Sequence, residues 1–515
     1  MFIPYDQLND KIGALGKSRV SGLGIVLCES AWKPLQRPYH KQKLAHLLSN
    51  QRHFALEQAK RGIRVEYLMG AESYRHQLAA FIEKFGPLEM AEAAERELRT
   101  NLAPLIANES IKLTPHEAWL TTREDFAESK FGSHSWRMDK FYRAVRQRTG
   151  ILMTANGEPL GGRYSFDSDN RKPWRHEHQV PSPLLFDPDE IVQEVCDFVG
   201  NKYKDFPGQL NPKTIVATKS QAEETWDFAK RECLTLFGPY EDAMTISHRR
   251  LFHTGLSELL NLSRILPRDV VEDVLAMDIP INSKEGFVRQ VLGWREFVRH
   301  VHVATDGFRL DRNGLRIDKK RASFLGRQEP LPPVFWGKKS NLYCLDHVVE
   351  EVMDDAYTHH INRLMILSNW ANLLDVDPEQ INTWFWACFT DAYDWVVEPN
   401  VIGMGSFAAG DVMTTKPYIS GSAYVNKMSD YCKSCIFNPK KDCPMTSLYW
   451  AFLKRHETNL SHNPRLKIVM AASRKRSTDK QKEAEDVYQT SVKKLGAGEP
   501  IYPSDFAFSS SDKQI

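Results

Sequence analysis

The chain has 515 residues, 26% of them charged and 42% hydrophobic, and a formal net charge of +2. That length supports two or three domains with sizeable cores, and the composition excludes a fibrous or wholly disordered chain. No apolar run approaches a bilayer span, and the first residues lack the basic and apolar regions of a secretion signal. A cytoplasmic protein with no membrane partner is therefore expected, and eight cysteines over this length do not make a disulfide framework.

Residues 1–125 alternate short apolar runs with helical patterns. Stretches 22–27 and 64–68 read as strands, and 41–60 and 71–85 as helices, which predicts an α/β domain built on a parallel sheet. Residues 126–205 mix helix with Gly/Pro-rich loop and read as an interdomain linker. From 206 to 497 amphipathic helices follow one another, so a larger, nearly all-α domain is expected. Residues 346–374 read as one long helix with Val349, Val352, Met353, Ala356, Ile361, Leu364 and Met365 on its apolar face. Residues 498–515 read as a disordered tail. No internal repeat is present.

Three cysteines crowd near the C-terminus as Cys432-x-x-Cys435-x7-Cys443, followed by Pro444. Thiolates at this spacing can converge on one soft metal centre, and Cys344, which opens the long helical pattern, is the best fourth ligand. Zinc and an iron–sulfur cluster both fit four thiolates. The scattered Cys196, Cys233 and Cys388 read as buried thiols.

Three further segments carry chemistry. His253-Thr254-Gly-Leu256-Ser257 is a hydroxyl-rich turn entering a helix, a seat for phosphate because free N–H groups and the helix dipole favour an anion. Glu285 to Phe297 gathers Arg289, Arg295 and two carboxylates on one helical stretch, and Asp391 to Met404 follows a tryptophan-rich helix with Trp384 and Trp386. In this order the three resemble the flavin-binding core of the photolyase–cryptochrome family. Asn341 to Cys344, Ala356 to Met365, Lys416 to Tyr418, Tyr424 to Cys432 and Cys443-Pro444 look like its branch of iron–sulfur bacterial cryptochromes and prokaryotic (6-4) photolyases. Phe141 to Arg143, Thr149 to Met153 and Gly161 to Arg171 match the same branch.

The resemblance implies a photolyase-like fold, with a Rossmann-like N-terminal domain and an all-α FAD-binding domain. It implies a [4Fe–4S] cluster on Cys344, Cys432, Cys435 and Cys443, with zinc the minor alternative. FAD phosphates would sit by His253, Thr254, Leu256 and Ser257, with Glu285, Trp294, Arg295 and Asp394 lining the pocket and an Arg363–Asp391 ion pair against the flavin ring. Relatives carry an acid directly after Trp395-Val396, where this chain has Val397 and places Glu398 one residue later. His360 would be the general acid in lesion repair and His359 its support, with Leu364, Met404, Tyr418 and Tyr424 facing the lesion. Trp384 and Trp336 match electron-relay positions, and Phe385 stands where relatives often have tyrosine. Asp6, Cys28 and Glu29 keep part of a site for a 6,7-dimethyl-8-ribityllumazine antenna, whereas Lys33 and Gln36 replace an acid and a tyrosine.

The expected activity is light-driven repair of (6-4) pyrimidine photoproducts in UV-damaged DNA by a monomeric bacterial enzyme. Basic side chains at 163–175 would help hold the DNA, and Arg474-Lys475-Arg476 forms a second basic cluster. A blue-light receptor on the same scaffold is the first rival, and a metal-stapled nucleic-acid-binding protein that uses no light is the second.

Overall fold

The computed structural model describes residues 1–17, 22–131, 135–310, 315–316 and 323–508. In the N-terminal domain β1 (Gly24–Ser30) pairs in parallel with β2 (Arg64–Gly70), and β3 (Leu88–Ala91) with β4 (Ile111–Thr114). The first three residues join the two pairs. Phe2 N donates to Glu89 O at 2.8 Å, while Ile3 N and Val26 N donate to Val26 O and Met1 O at 3.0 and 2.9 Å. Parallel strands with helical crossovers give the predicted α/β sheet. Six of the seven β1 residues are buried, as expected for a strand covered on both faces.

The helix Lys41–Lys60 spans the residues its periodicity predicts. It is buried along polar positions as well as apolar ones, because it lies between the two halves of the molecule. Gln42 Nε2 donates to Thr214 Oγ1 at 2.8 Å, Lys43 Nζ to Trp386 O and Ala392 O at 2.6 and 2.5 Å, and Asn50 Nδ2 to Val216 O at 2.9 Å. Each of these buried donors is thus matched across the seam, which removes the desolvation cost that would otherwise oppose docking.

The C-terminal half is helical, around a core containing Trp370, Trp384, Phe335 and Leu448. The expected single helix over 346–374 is broken. Tyr343–Asp355 ends on Ala356, which adopts a left-handed φ of 51°, and a second helical stretch starts at His360. Alanine's high helix propensity hides such a stop. What wins is tertiary: the Ala356 carbonyl accepts Thr390 N at 3.0 Å, and the chain after the break buries His359 and leaves His360 exposed. The tail is also corrected over 498–508. Ile501 is fully buried and its N–H donates to Ser340 O at 3.1 Å, while Lys494 holds Asp505 at 2.7 Å. Residues 509–515 lie outside the described residues.

The break is testable. Ala356→Val puts a β-branched residue in the left-handed region of a buried site, so it should cost at least about 2 kcal/mol in urea unfolding. Ala356→Gly should stay within about 1 kcal/mol of the native chain. Equal stability of the Val variant would mean that the helix is continuous.

Candidate functional site

Everything at the centre of the helical domain meets at one ion pair. Arg363 Nη1 and Nη2 donate to Asp391 Oδ1 and Oδ2 at 2.9 and 3.0 Å, a parallel fork. Arg363 Nε reaches back to Thr358 O at 2.7 Å, and the guanidinium lies 4.3 Å from the centre of the Phe389 ring. Ser257 Oγ donates to Asp391 Oδ2 at 2.6 Å, and Asn261 Nδ2 to Asp391 O at 2.9 Å. Arg295 joins the same group through Leu260 O at 3.1 Å and Asn261 Oδ1 at 3.4 Å. Burial pushes the Asp391 carboxyl up, but Arg363 and Ser257 outweigh it and hold the group below its usual range. Ser257, Arg295, Arg363 and Asp391 are thus brought together, and His253 lies within electrostatic reach of Arg363. Thr254 and Leu256 complete the turn before the helix Ser257–Asn261.

Beside the pair three histidines stack. His253 and His359 lie face to face at 4.5 Å with planes 6° apart, and His360 meets the edge of His253 at 5.4 Å. Burial pushes both His253 and His359 well below the ordinary imidazole value, and neighbouring histidines and Arg363 add to it. Both are neutral at neutral pH. His253 Nε2 and His359 Nδ1 have no protein partner among the described residues, so two buried polar atoms are free for a bound group.

His360 differs, since its side chain is 45% exposed and its Nε2 lies 3.6 Å from Asp242 Oδ1. Asp242 also lies 3.8 Å from Arg171, and it acts on the phenol of Tyr424, which burial has already raised. Tyr418 feels Asp167 and Arg171. His360, Tyr418 and Tyr424 therefore share one rim. Leu364 and Met404 are half-buried against different cores, and Leu364 lies on the π-helical turn Arg363–Ser368.

Other expected members are committed elsewhere. Glu285 is fully buried, accepts Phe166 N at 2.9 Å and faces Arg289 at 3.7 Å. Trp294 is half-buried with its ring 6.1 Å from Phe297. Asp394 accepts Arg96 N at 3.0 Å and Glu97 N at 2.8 Å, so it caps the helix Arg96–Ala107 of the N-terminal domain and does not join the Arg363 cluster. Glu398, the displaced acid, lies 3.0 Å from His302 Nε2 and receives a fork from Arg309 at 2.9 and 2.6 Å. Its carboxyl is raised by burial and lowered further by His302 and Arg309, ending below the usual range.

Trp384 is buried, donates from Nε1 to Phe335 O at 2.8 Å and touches Phe335, Phe385 and Phe389 edge-on at 5.3, 5.2 and 5.7 Å. Trp336, next to Phe335, is 45% exposed. Ring contacts thus run from Phe335 through Trp384 to Phe389 under Arg363. In the N-terminal domain Glu29 is taken by Arg52 at 3.0 Å through both oxygens and by Tyr67 at 2.9 Å. Lys33 is buried on Glu95 at 2.5 Å and Tyr5 at 2.9 Å. Burial lifts the Cys28 thiol to about 12 and the Asp6 carboxyl to about 6, and Asp6 Oδ2 accepts Ala94 N at 3.1 Å.

Cys344, Cys432, Cys435 and Cys443 line one small cavity together with Trp370, Val425 and Phe437. Cys344 sits on the first turn of Tyr343–Asp355, and Cys443 immediately precedes the helix Pro444–Arg455. Burial pushes Cys344 up to about 12, Cys432 to about 11 and Cys443 well above the ordinary value, so without a cation these thiols stay protonated. Among the described residues no three donors meet at the spacing of a single metal ion.

A (6-4) photolyase from Agrobacterium fabrum is 34% identical over 493 residues, covering 92% of this chain and 95% of that protein. The chain belongs to the photolyase–cryptochrome family, in the bacterial (6-4) photolyase branch. A family model described as deoxyribodipyrimidine photo-lyase-related protein matches residues 1–214. Three solved structures share the fold at 12–15% identity. A class III photolyase from Agrobacterium tumefaciens has a TM-score of 0.56 and covers 96% of this chain and 97% of that one. A Synechocystis cryptochrome has 0.54 with 94% and 93% covered. An archaeal photolyase from Sulfolobus tokodaii, described with two FAD molecules, has 0.52 with 95% and 99% covered.

Within this family member, Asp242 and the His302 and Arg309 partners of Glu398 are not among the candidates that the sequence yields. Asn261 follows the phosphate-seat turn by only four residues and is within reach of the pattern, whereas the His302–Glu398 contact joins positions 96 residues apart.

Arg363→Leu should destabilise the chain by about 3–5 kcal/mol in denaturant unfolding, because it leaves the Asp391 charge buried and held only by Ser257. A lowered carboxyl stabilises the fold fully above its unfolded pKa of about 4 and loses that contribution as pH falls further. The native chain should therefore weaken below about pH 4 more steeply than Arg363→Leu. Parallel pH curves would contradict the pairing.

Proposed function

We propose that this chain repairs (6-4) pyrimidine photoproducts in UV-damaged DNA using light, with FAD as its cofactor and His360 as the proton donor. The observation that carries the reading is the histidine stack beside the Arg363–Asp391 pair. Two of its imidazoles are buried and neutral, and the third alone reaches the rim. The buried, unpartnered His253 Nε2 and His359 Nδ1, the Ser257 turn and the fixed guanidinium fit a folded anionic dinucleotide. His253, Thr254, Leu256, Ser257, Arg295, Arg363 and Asp391 would hold it. Bound there in its reduced form, FAD would supply light-driven one-electron chemistry that leaves no net oxidation.

The residues do the rest. A lesion must leave the duplex stack to reach the centre, and Tyr418 and Tyr424 offer aromatic walls for it. His360 delivers a proton from Nε2 to the damaged pyrimidine, with Asp242 Oδ1 3.6 Å from that nitrogen to orient the ring. The hydroxyl then returns to its original base with no net oxidation. Glu398 takes no part, because its carboxylate is occupied by His302 and Arg309. The Synechocystis cryptochrome keeps the receptor reading alive on the same scaffold. The exposed, acid-paired His360 favours repair, as does the (6-4) photolyase relative.

Four thiols around a cavity, and not around a point, fit a [4Fe–4S] cluster better than zinc. Its place between two helix starts makes it a staple for the 344 and 444 segments. The residues present do not fit a lumazine antenna, since Glu29 is consumed by Arg52 and Tyr67, and Lys33 by Glu95.

His360→Ala should abolish repair while keeping flavin and lesion binding, since general acid catalysis contributes about 10²–10⁴ in rate. Restored thymines in an illuminated (6-4) oligonucleotide are the readout. Normal repair by the variant would remove His360 from the mechanism. Iron and sulfide should be found at about four each per chain, and Cys435→Ser should lose both, because metal binding and folding are coupled. Stoichiometric zinc without sulfide would replace the cluster by a zinc site.

A further inference from the structure

A basic strip leaves the lesion rim toward the C-terminus. Between residues 465 and 482, Arg465, Lys467, Lys475 and Lys482 are exposed, and among the described residues no carboxylate lies at ion-pair distance from any of them. In the linker Arg163 is paired with Asp169 and Arg171 with Asp167 and Asp242, and in the strip Arg474 is paired with Glu457. Both stretches spend part of their charge inside the protein, and in the strip the four cations named above keep theirs.

Position connects the strip to the rim. Asn463 Nδ2 donates to Thr415 O at 2.8 Å, fastening the turn before Arg465 to the loop that carries Tyr418. Arg465 is close enough to act on the Tyr418 phenol. From there the helix Lys467–Arg474 leads to a cleft of about 270 Å³ lined by Trp450, Lys454, Ser473, Arg476, Gln481 and Lys482. Arg476 lies 4.7 Å from the centre of the Trp450 ring inside it.

We infer that this strip is a second DNA contact, holding backbone phosphates of the duplex beside an extruded lesion, an inference that rests on the repair reading above. An eight-residue helix spans about 12 Å, which is three to four base-pair steps at about 3.4 Å each. Cations free of carboxylate partners at that interval match a phosphate row, and their continuity with the rim selects DNA over an unrelated acidic protein. A membrane is the other anionic surface. The strip has one strongly exposed apolar residue, Ile468 at 88%, on a helix of only eight residues, far less than an interfacial anchor needs.

The test compares a free lesion dinucleotide, which has no flanking phosphates, with a lesion duplex of about 30 base pairs, about three helical turns. Binding of the intact protein and of Lys467→Gln/Lys475→Gln/Lys482→Gln is followed by fluorescence anisotropy against salt. On the long duplex the variant's slope of log K against log salt should fall by about 2–3, at about 0.9 for each phosphate that is no longer neutralised. The dinucleotide should bind both proteins alike, and the triple Lys→Arg variant should keep the native slope. An unchanged slope on the long duplex, or an equal fall with both ligands, would overturn the strip. So would tighter binding to phosphatidylserine vesicles than to the long duplex. A length-dependent slope in a protein that repairs nothing under light would instead defeat the repair reading and leave the strip standing.

Discussion

The Arg363–Asp391 ion pair is the constraint on which the rest of the site depends. A buried charge pair is tolerable only when its remaining hydrogen-bonding capacity is met, and here Thr358 O, Ser257 Oγ and the Phe389 ring meet it. Those partners come from three separate stretches of chain. The pair therefore fixes the loop that carries His359 and His360 against the turn at Ser257, and Asn261 extends the same network to Arg295. A single guanidinium holds in register segments that are more than a hundred residues apart.

Its charge also divides the labour among the histidines. Low dielectric and neighbouring cationic groups keep His253 and His359 neutral, while His360 stands exposed beside Asp242. Backbone irregularity aids the placement. Arg289–Arg295, Arg363–Ser368 and Glu398–Gly405 are all π-helical turns, each of which inserts a residue and re-aims the side chains that follow. A regular helix through 363–368 would present Arg363 and Leu364 on different bearings.

Much of this is legible in the sequence, and the reasons differ by residue. The helix Lys41–Lys60 and the strands β1 and β2 are readable because local periodicity and burial agree. The meeting of Cys432, Cys435 and Cys443 is readable because they lie within twelve residues, and Cys344 joins them in one cavity from the start of a distant helix. The stop at Ala356 is not, since nothing local marks an alanine in a left-handed turn and a carbonyl contact with Thr390 decides it. Asp394 and Glu398 mislead for a related reason: a motif gives their order but not their partners. Those partners, the helix Arg96–Ala107 and His302 with Arg309, come from distant sequence. The ordered stretch 498–508 is hidden because its polar composition conceals Ile501 and Phe506, which dock on the helical domain.

The central claim is that light drives repair at the Arg363–histidine centre. It is tested most directly by counting thymines restored by the intact, reduced protein on a (6-4) oligonucleotide, in light and in darkness. The account predicts restoration under illumination and none in the dark. Tight binding of the lesion with no thymine restored under illumination would contradict it.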